Sequence, residues 1–231
     1  MRVAIIPARG GSKRIPRKNI KNFCGKPMIA WSIEGAIKSN CFDRVIVSTD
    51  DGEIAEIAKK YGAEVPFIRP KELADDYTGT NEVICHTIEW LINHDIQPDE
   101  VCCIYATAPF IQASDIQGAY HQLIENDCNY VFSATRYPFP IQRAFKITSE
   151  KNVRMFYTEH EHTRSQDLEE AYHDAGQFYW GRAEAWLEHI SIFNDKSMAY
   201  ILPRCRVQDI DNQEDWDNAE LMLYGNNFIK H

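Results

Sequence analysis

The sequence predicts an α/β fold with a mostly parallel sheet covered by helices on both faces. Three observations predict it. Short apolar runs recur without polar alternation, the pattern of strands buried on both faces. Segments with apolar residues at helical spacing lie between them. Capping and turn residues fall at several of the joins. Strands and helices alternating at this rhythm imply βαβ units, and in such sheets a ligand sits outside the carboxyl ends of the strands.

Taken in order, VAIIP (3–7) reads as the first buried strand, and a glycine-bearing loop follows it. KPMIAWSIEGAIKS then sets Ile29, Ile33, Ala36 and Ile37 at helical spacing, with Asn40 placed to close the helix. RVIVSTD (44–50) is a second strand. Its end, Ser48-Thr49-Asp50, supplies caps for a helix in DGEIAEIAKKYG that Gly62 stops. EVPFIRP (64–70) reads as a third, shorter strand, and TNEVICHTIEWLINH (80–94) as a helix. VCCIYATAP (101–109) is another buried strand, followed by a helix from Ser114 with Asp115 in its first turn, and YVFSATR (130–136) is a strand again. From about residue 138 the rhythm breaks. Residues 138–175 are expected to form an inserted lobe within a single domain spanning 1–231. FYWG (178–181) and MAYILP (198–203) resume strands, and NQEDWDNAELMLYG (212–225) is a closing amphipathic helix.

A hydrophobic fraction of 44% is enough for a packed core, and no window approaches a membrane span. The N-terminus has too short an apolar run for a secretory signal. Seven cysteines without a CxxC pair point to reduced thiols, so a cytoplasmic protein with no membrane partner is expected. A net charge of −9 argues against nucleic-acid binding.

Against that acidity, the first 33 residues hold eight basic residues and no acidic one. In IIPARGGSKRIPRKN (5–19), Gly10, Gly11 and Ser12 free the backbone to turn amides toward an anion. Lys13, Arg14, Arg17 and Lys18 add charge at close range. The loop is neither GxxxxGK[ST] nor GxGxxG. A small phosphate-bearing ligand accounts for the block; a solvated basic turn is the alternative. Near the other end, in VQDIDNQEDW, Asp209 and Asp211 flank Ile210 and would face the same side of an extended backbone. That pair suits Mg²⁺, with a capping role for the helix at 213 as the alternative. Asp215 and Asp217 read as solvated. His160 and His162 read as a surface loop. Cys102, Cys103 and the five tryptophans read as core.

These residues also carry a resemblance. IIPARGGSKRIPRKN is similar to the CTP-binding signature of the sialic-acid-type cytidylyltransferases, and the first block alone also admits the ketodeoxyoctulosonate enzymes. VIVSTDD, RPKELADDYTGT and QDIDNQEDW resemble further blocks of that family at the same spacing. CCIYATAPF, FPIQRAF and RSQDLEEAYHDAGQFYW resemble its pseudaminic acid branch. The N-acetylneuraminate enzymes carry Gln where Tyr105 stands, Arg where Ile111 stands, and a Lys near Gln142.

The resemblance implies a three-layer α/β/α nucleotide-diphospho-sugar transferase-like fold and a homodimer in which the lobe reaches the partner's site. It implies Mg²⁺ on Asp209 and Asp211, with CTP and a nine-carbon 2-keto sugar acid as substrates. Arg9, Lys18 and Asp211 would be catalytic. Ala8, Arg9, Gly10, Ser12, Lys13 and Lys18 would hold the triphosphate, and Asn19, Arg69, Thr78 and Thr80 the cytosine and ribose. Tyr105, Gln142, Arg143, Arg164, Asp174, Gln177 and Tyr179 would meet the sugar. The same reaction on a sialic or legionaminic acid, and a non-catalytic nucleotide- or phosphate-binding module, are the alternatives.

Overall fold

A computed structural model describes residues 1–75 and 78–229, with side chains to Gly225. The first apolar run is the centre of β1 (Arg2–Pro7), where residues 3–6 are wholly buried. After the glycine loop, the small ladder of β2 (Asn22–Phe23) and β3 (Lys26–Pro27) leads into α1 (Met28–Lys38). Asn40, at φ 53°, turns the chain out of that helix. β4 (Arg44–Ser48) and α2 (Gly52–Lys60) follow, and Gly62 at φ 96° ends the α2 segment. Next come α3 (Thr80–Ile92), β5 (Glu100–Ile104), α4 (Ala113–Glu125) and β6 (Tyr130–Arg136). The hairpin of β7 (Phe145–Ile147) and β8 (Val153–Met155) lies in the expected lobe. β9 (Tyr172–Arg182), α5 (Ala183–Leu187), β10 (Ser197–Ile201) and α6 (Gln213–Ile229) complete the chain.

The six-stranded sheet runs β10-β6-β9-β5-β1-β4. β1 is parallel to β4 and β5, and β10 to β6. β9 runs antiparallel between β5 and β6. Period-2 alternation sorts the strands onto two cores. Ala4, Ile6, Cys102, Ile104, Val131 and Trp180 pack with α1, α2 and α4. Val3, Ile5, Val101, Cys103, Tyr130 and Tyr179 pack with α3 and α5. The mostly parallel, three-layer α/β reading therefore holds. A third cluster has a different job. Ile15 from the basic loop, Ile210 from between the two aspartates, and Trp216 from α6 are buried together with Phe23, Met28 and Phe110. Burying both isoleucines in one cluster brings two segments of opposite charge, almost 200 residues apart in sequence, face to face.

Several local expectations change. EVPFIRP is not a strand; only Glu64 bridges to Ile46. Pro66 and Pro70 have no amide to give a ladder, so pairing stops there. The strand at 101–109 ends at Ile104. α2 is capped by Asp51, whose side chain accepts from the Glu53 and Ile54 amides, rather than by residues 48–50. Asp215 is not merely solvated. It accepts from the Asn212 amide at 3.0 Å while Asn212 Oδ1 accepts from its own, a reciprocal cap for α6. The capping role thus belongs to Asn212 and Asp215, leaving Asp209 and Asp211 outside it. None of the seven cysteines is in a disulfide. Among the described residues no helix is long and apolar enough to cross a membrane.

Candidate active site

Two cavities meet at Tyr105, just past the carboxyl end of β5, and the first also borders Pro7 at the carboxyl end of β1. The first, of about 280 Å³, is walled by Arg9, Ser12, Lys18 and Asn19 from the basic loop. Arg69, Thr78 and Thr80 close its other side. Seven of the ten residues expected for a nucleotide thus meet at one cavity. Ala8, Gly10 and Lys13 belong to the same loop but do not line it.

The loop is fixed from behind. The Gly10 amide donates to Asp50 Oδ1 at 3.0 Å, and a Cβ at Gly10 would lie 2.7 Å from Asp51 Oδ2, so only glycine fits. Asn19 Nδ2 donates to the Arg9 carbonyl at 2.9 Å, tying the two ends of the loop together. Lys18 Nζ donates to the Ile210 carbonyl at 2.6 Å and lies 3.8 Å from Asp211. Burial pushes the Lys18 ammonium down from its ordinary range, and Asp211 offsets part of that. Arg14 reaches Asp211 at 2.9 Å. Arg17 takes Asp51 and Glu53 instead, from a backbone at φ 56° that costs a side-chain-bearing residue about 1–2 kcal/mol.

Arg69 is 4% exposed and lies 3.7 Å from Asp50. Its Nε and one terminal nitrogen find no hydrogen-bond partner among the described residues. Buried donors in that state are rare and costly, and Arg69 is one of the residues lining the cavity.

The second cavity, of about 490 Å³, is lined by Tyr105, His173, Asp174, Tyr179 and Asp209 with neighbouring backbone. The Tyr179 hydroxyl donates to Asp174 Oδ2 at 2.6 Å, and the Gly176 amide to Asp174 Oδ1 at 2.8 Å. Burial drives the Tyr179 phenol far above its usual range, so it remains a donor. Asp209 borders this cavity while Asp211 meets the basic loop, so the acidic pair stands between the two halves. Burial, then the charge of Asp211, raises the Asp209 carboxyl above its usual range.

Three residues expected at the sugar lie elsewhere in the chain. Gln142 donates to the Glu169 carbonyl, Arg143 to the Thr163 carbonyl, and Arg164 to Asp167, all within the lobe. Gln177 is buried, and its amide donates to the Arg206 carbonyl at 2.5 Å. The register slip between Phe132 and Ala134 explains that orientation: Ser133 Oγ accepts from the Gln177 and Phe178 amides where the ladder is interrupted. Sequence reasoning also missed the buried Arg206–Asp115 ion pair, which anchors the chain just before Asp209. His160 and His162 join no metal-holding group among the described residues.

Comparison with known proteins agrees with this geometry. A family model described as cytidylyltransferase matches residues 3–225. The chain is 49% identical over 220 residues to the pseudaminic acid cytidylyltransferase of Campylobacter jejuni, covering 95% of each. It is 41% identical to a Helicobacter pylori protein named as pseudaminic acid cytidylyltransferase and UDP-2,4-diacetamido-2,4,6-trideoxy-beta-L-altropyranose hydrolase, covering 90% of this chain and 40% of that one. The fold matches a CMP:2-keto-3-deoxy-manno-octonic acid synthetase solved with CTP, at TM-score 0.70 and 15% identity, over 97% of this chain and 99% of that one. At that identity the structural match speaks for the fold, while the sequence matches speak for the family. Loop, acidic pair, cavities and relatives converge: this chain belongs to the cytidylyltransferase family, whose members are nucleotidyltransferases.

Proposed function

We propose that this protein joins CTP to pseudaminic acid, giving CMP-pseudaminic acid and diphosphate. The observation that carries the reading is the shared wall at Tyr105, with a basic cavity on one side and a hydroxyl- and carboxylate-lined cavity on the other. The 49% identity to a pseudaminic acid enzyme over 95% of both chains supports the choice of sugar. In the reaction the anomeric hydroxyl attacks the α-phosphorus of CTP. A new C–O–P link forms as the hydroxyl proton passes to solvent, the bond from the α-phosphorus to the bridging oxygen breaks, and diphosphate leaves with the electron pair.

Arg9, Ser12, Lys13 and Lys18, with the backbone at Ala8 and Gly10, hold the triphosphate and neutralise charge on the leaving diphosphate. Asn19, Arg69, Thr78 and Thr80 take the cytosine and ribose. The two Arg69 nitrogens that find no hydrogen-bond partner among the described residues support that role. Tyr105, Asp174 and Tyr179 orient the sugar.

Asp209 and Asp211 fit a hard divalent ion: they are two carboxylates either side of the buried Ile210, Asp209 at the second cavity and Asp211 beside Lys18 of the basic loop, and burial, then the charge of Asp211, raises the Asp209 carboxyl. They would hold Mg²⁺, which when bound supplies charge neutralisation and a lowered pKa at the attacking hydroxyl.

The lobe supports a homodimer. Phe139, Phe145, Ile147, Val153 and Phe156 are each more than half exposed there, a density of bare apolar surface that a second copy would cover. No lysine or arginine lines the second cavity among the described residues, so a sugar carboxylate needs a cation from elsewhere. Arg143 or Arg164 of a second copy would supply it. Seven cysteines outside any disulfide support a reducing, cytoplasmic setting. Mass spectrometry of a reaction holding CTP, Mg²⁺ and pseudaminic acid tests the proposal. It predicts the CMP-sugar with one diphosphate per product, and absence of that product would overturn it.

A further inference from the structure

We propose that Arg17 is a positioning residue for the nucleotide half of the site, clamping the basic loop to the start of α2 so that Lys18 and Asn19 face the cavity. The inference rests on the reading of residues 8–19 as a CTP cradle.

The local sequence calls for something other than arginine here. Pro16 and Arg17 occupy the two central positions of a turn that the Lys18 amide closes on the Ile15 carbonyl at 3.2 Å. With Pro first and a positive φ second, this is the arrangement of a type II turn, whose second central position ordinarily takes Gly or Asn. Arg17 stands there at φ 56°. A residue held in that region persists only where its surroundings over-determine it, and such strain collects at functional sites.

The surroundings are specific. Arg17 reaches both oxygens of Asp51, at 2.5 and 3.0 Å, and Glu53 at 2.6 Å. Asp51 is a junction. Its Oδ1 also accepts from the Glu53 and Ile54 amides at 3.0 Å, capping α2. Its Oδ2 lies against Gly10, where even a Cβ would not fit. One carboxylate therefore holds the turn end of the loop and lies against its glycine end, whose amide is held by the neighbouring Asp50. The Arg17 carbonyl accepts from the Ile20 and Lys21 amides, both at 2.9 Å, which fixes the next turn of chain. Lys18 and Asn19 sit between these two anchors and line the cavity; Arg17 does not. The Arg17 bonds hold the Asp51 carboxyl down at about 2, so the clamp stays charged at every working pH. Ordering the loop before CTP arrives removes that cost from binding.

The test uses Arg17→Gly, which deletes the guanidinium and leaves a residue at ease with positive φ, so folding is spared. Arg17→Lys keeps the charge but cannot fork two carboxylates. Asp51→Asn keeps an α2 cap and weakens the clamp. Amide exchange of residues 9–20 is read on the free protein, and half-saturation for CTP and for the sugar acid in steady state. Arg17→Gly is expected to speed loop exchange and to raise CTP half-saturation about tenfold, leaving that of the sugar within about twofold. Arg17→Lys should recover only part of the CTP loss. Arg17→Gly and Asp51→Asn together should cost about what either costs alone, because they break one unit. Unchanged exchange with unchanged CTP half-saturation in Arg17→Gly would overturn the clamp, as would strictly additive effects. Lys18→Ala is the control. If it weakens CTP use and Arg17→Gly does not, the clamp alone is wrong. If neither variant touches CTP, the cradle reading falls and the clamp's role with it.

Discussion

The two halves of the site are built differently. The nucleotide half is made from one short stretch, residues 8–19, backed by the β4–α2 junction and closed by Arg69 and the start of α3. Arg14 and Lys18 face Asp211, Arg17 grips Asp51 and Glu53, and Arg69 faces Asp50, all within one chain. The acceptor half draws on β5, β9 and the segment before α6, and its cavity lacks a cation among the described residues. Its expected arginines sit in the lobe, engaged with lobe residues. The difference separates a preorganised charge cradle from a pocket that a second copy would complete. A conserved reaction with changing acceptors would need that division.

Four measurements break or sharpen the comparison. Asp211→Ala should cost the most, about a thousandfold in turnover at saturating Mg²⁺, because it strips the junction of both halves; near-parental diphosphate release would remove Asp211 from the site. Lys18→Ala should come next, about a hundredfold, falling on CTP use far more than on sugar use. An equal effect on both would mean that the halves are not separate. Phe145→Asp or Ile147→Asp should shift sedimentation toward monomer and weaken sugar use about tenfold while CTP binding stays intact. A variant that stays dimeric with full activity would take the lobe out of the account. In the metal-free protein Asp209→Asn should give the smallest effect, a rise of about a degree in melting temperature at pH 7, although with Mg²⁺ present it removes a proposed ligand and should cost turnover. The sign follows from the raised Asp209 carboxyl. The folded state binds that proton more tightly than the unfolded state, so stability is lost as pH rises through the window. The variant's gain should vanish below about pH 4, where the carboxyl is protonated in either state. A gain independent of pH would contradict the coupling.

The same contrast governs what the sequence made legible. β1, α1 and α4 announce themselves because their signals are local: a buried run, a helical stripe, an acidic residue in the first turn. The basic loop was legible for the same reason. EVPFIRP misled because apolar content outvoted its two prolines. Gln177, placed at the sugar by the resemblance of a short stretch, instead donates to the Arg206 carbonyl beside the ladder slip at Ser133, which strand alternation does not reveal. Arg14–Asp211 and Asp115–Arg206 join residues 197 and 91 positions apart. No local pattern could pair them; the burial of Ile15 and Ile210 in one cluster brings the first pair together. The division of labour among the basic residues was hidden too. Arg17 looks like Lys18 in a charge count, yet one grips α2 and the other faces the cavity.

The most direct test of the proposed reaction is diphosphate release from each nucleoside triphosphate, across a panel of sugar acids. The panel holds pseudaminic, legionaminic, N-acetylneuraminic and ketodeoxyoctulosonic acids, each with Mg²⁺. The account predicts turnover with CTP over the other triphosphates, and highest kcat/KM for pseudaminic acid. Faster turnover of another acid would contradict the acceptor half, and no preference for CTP would contradict the nucleotide half.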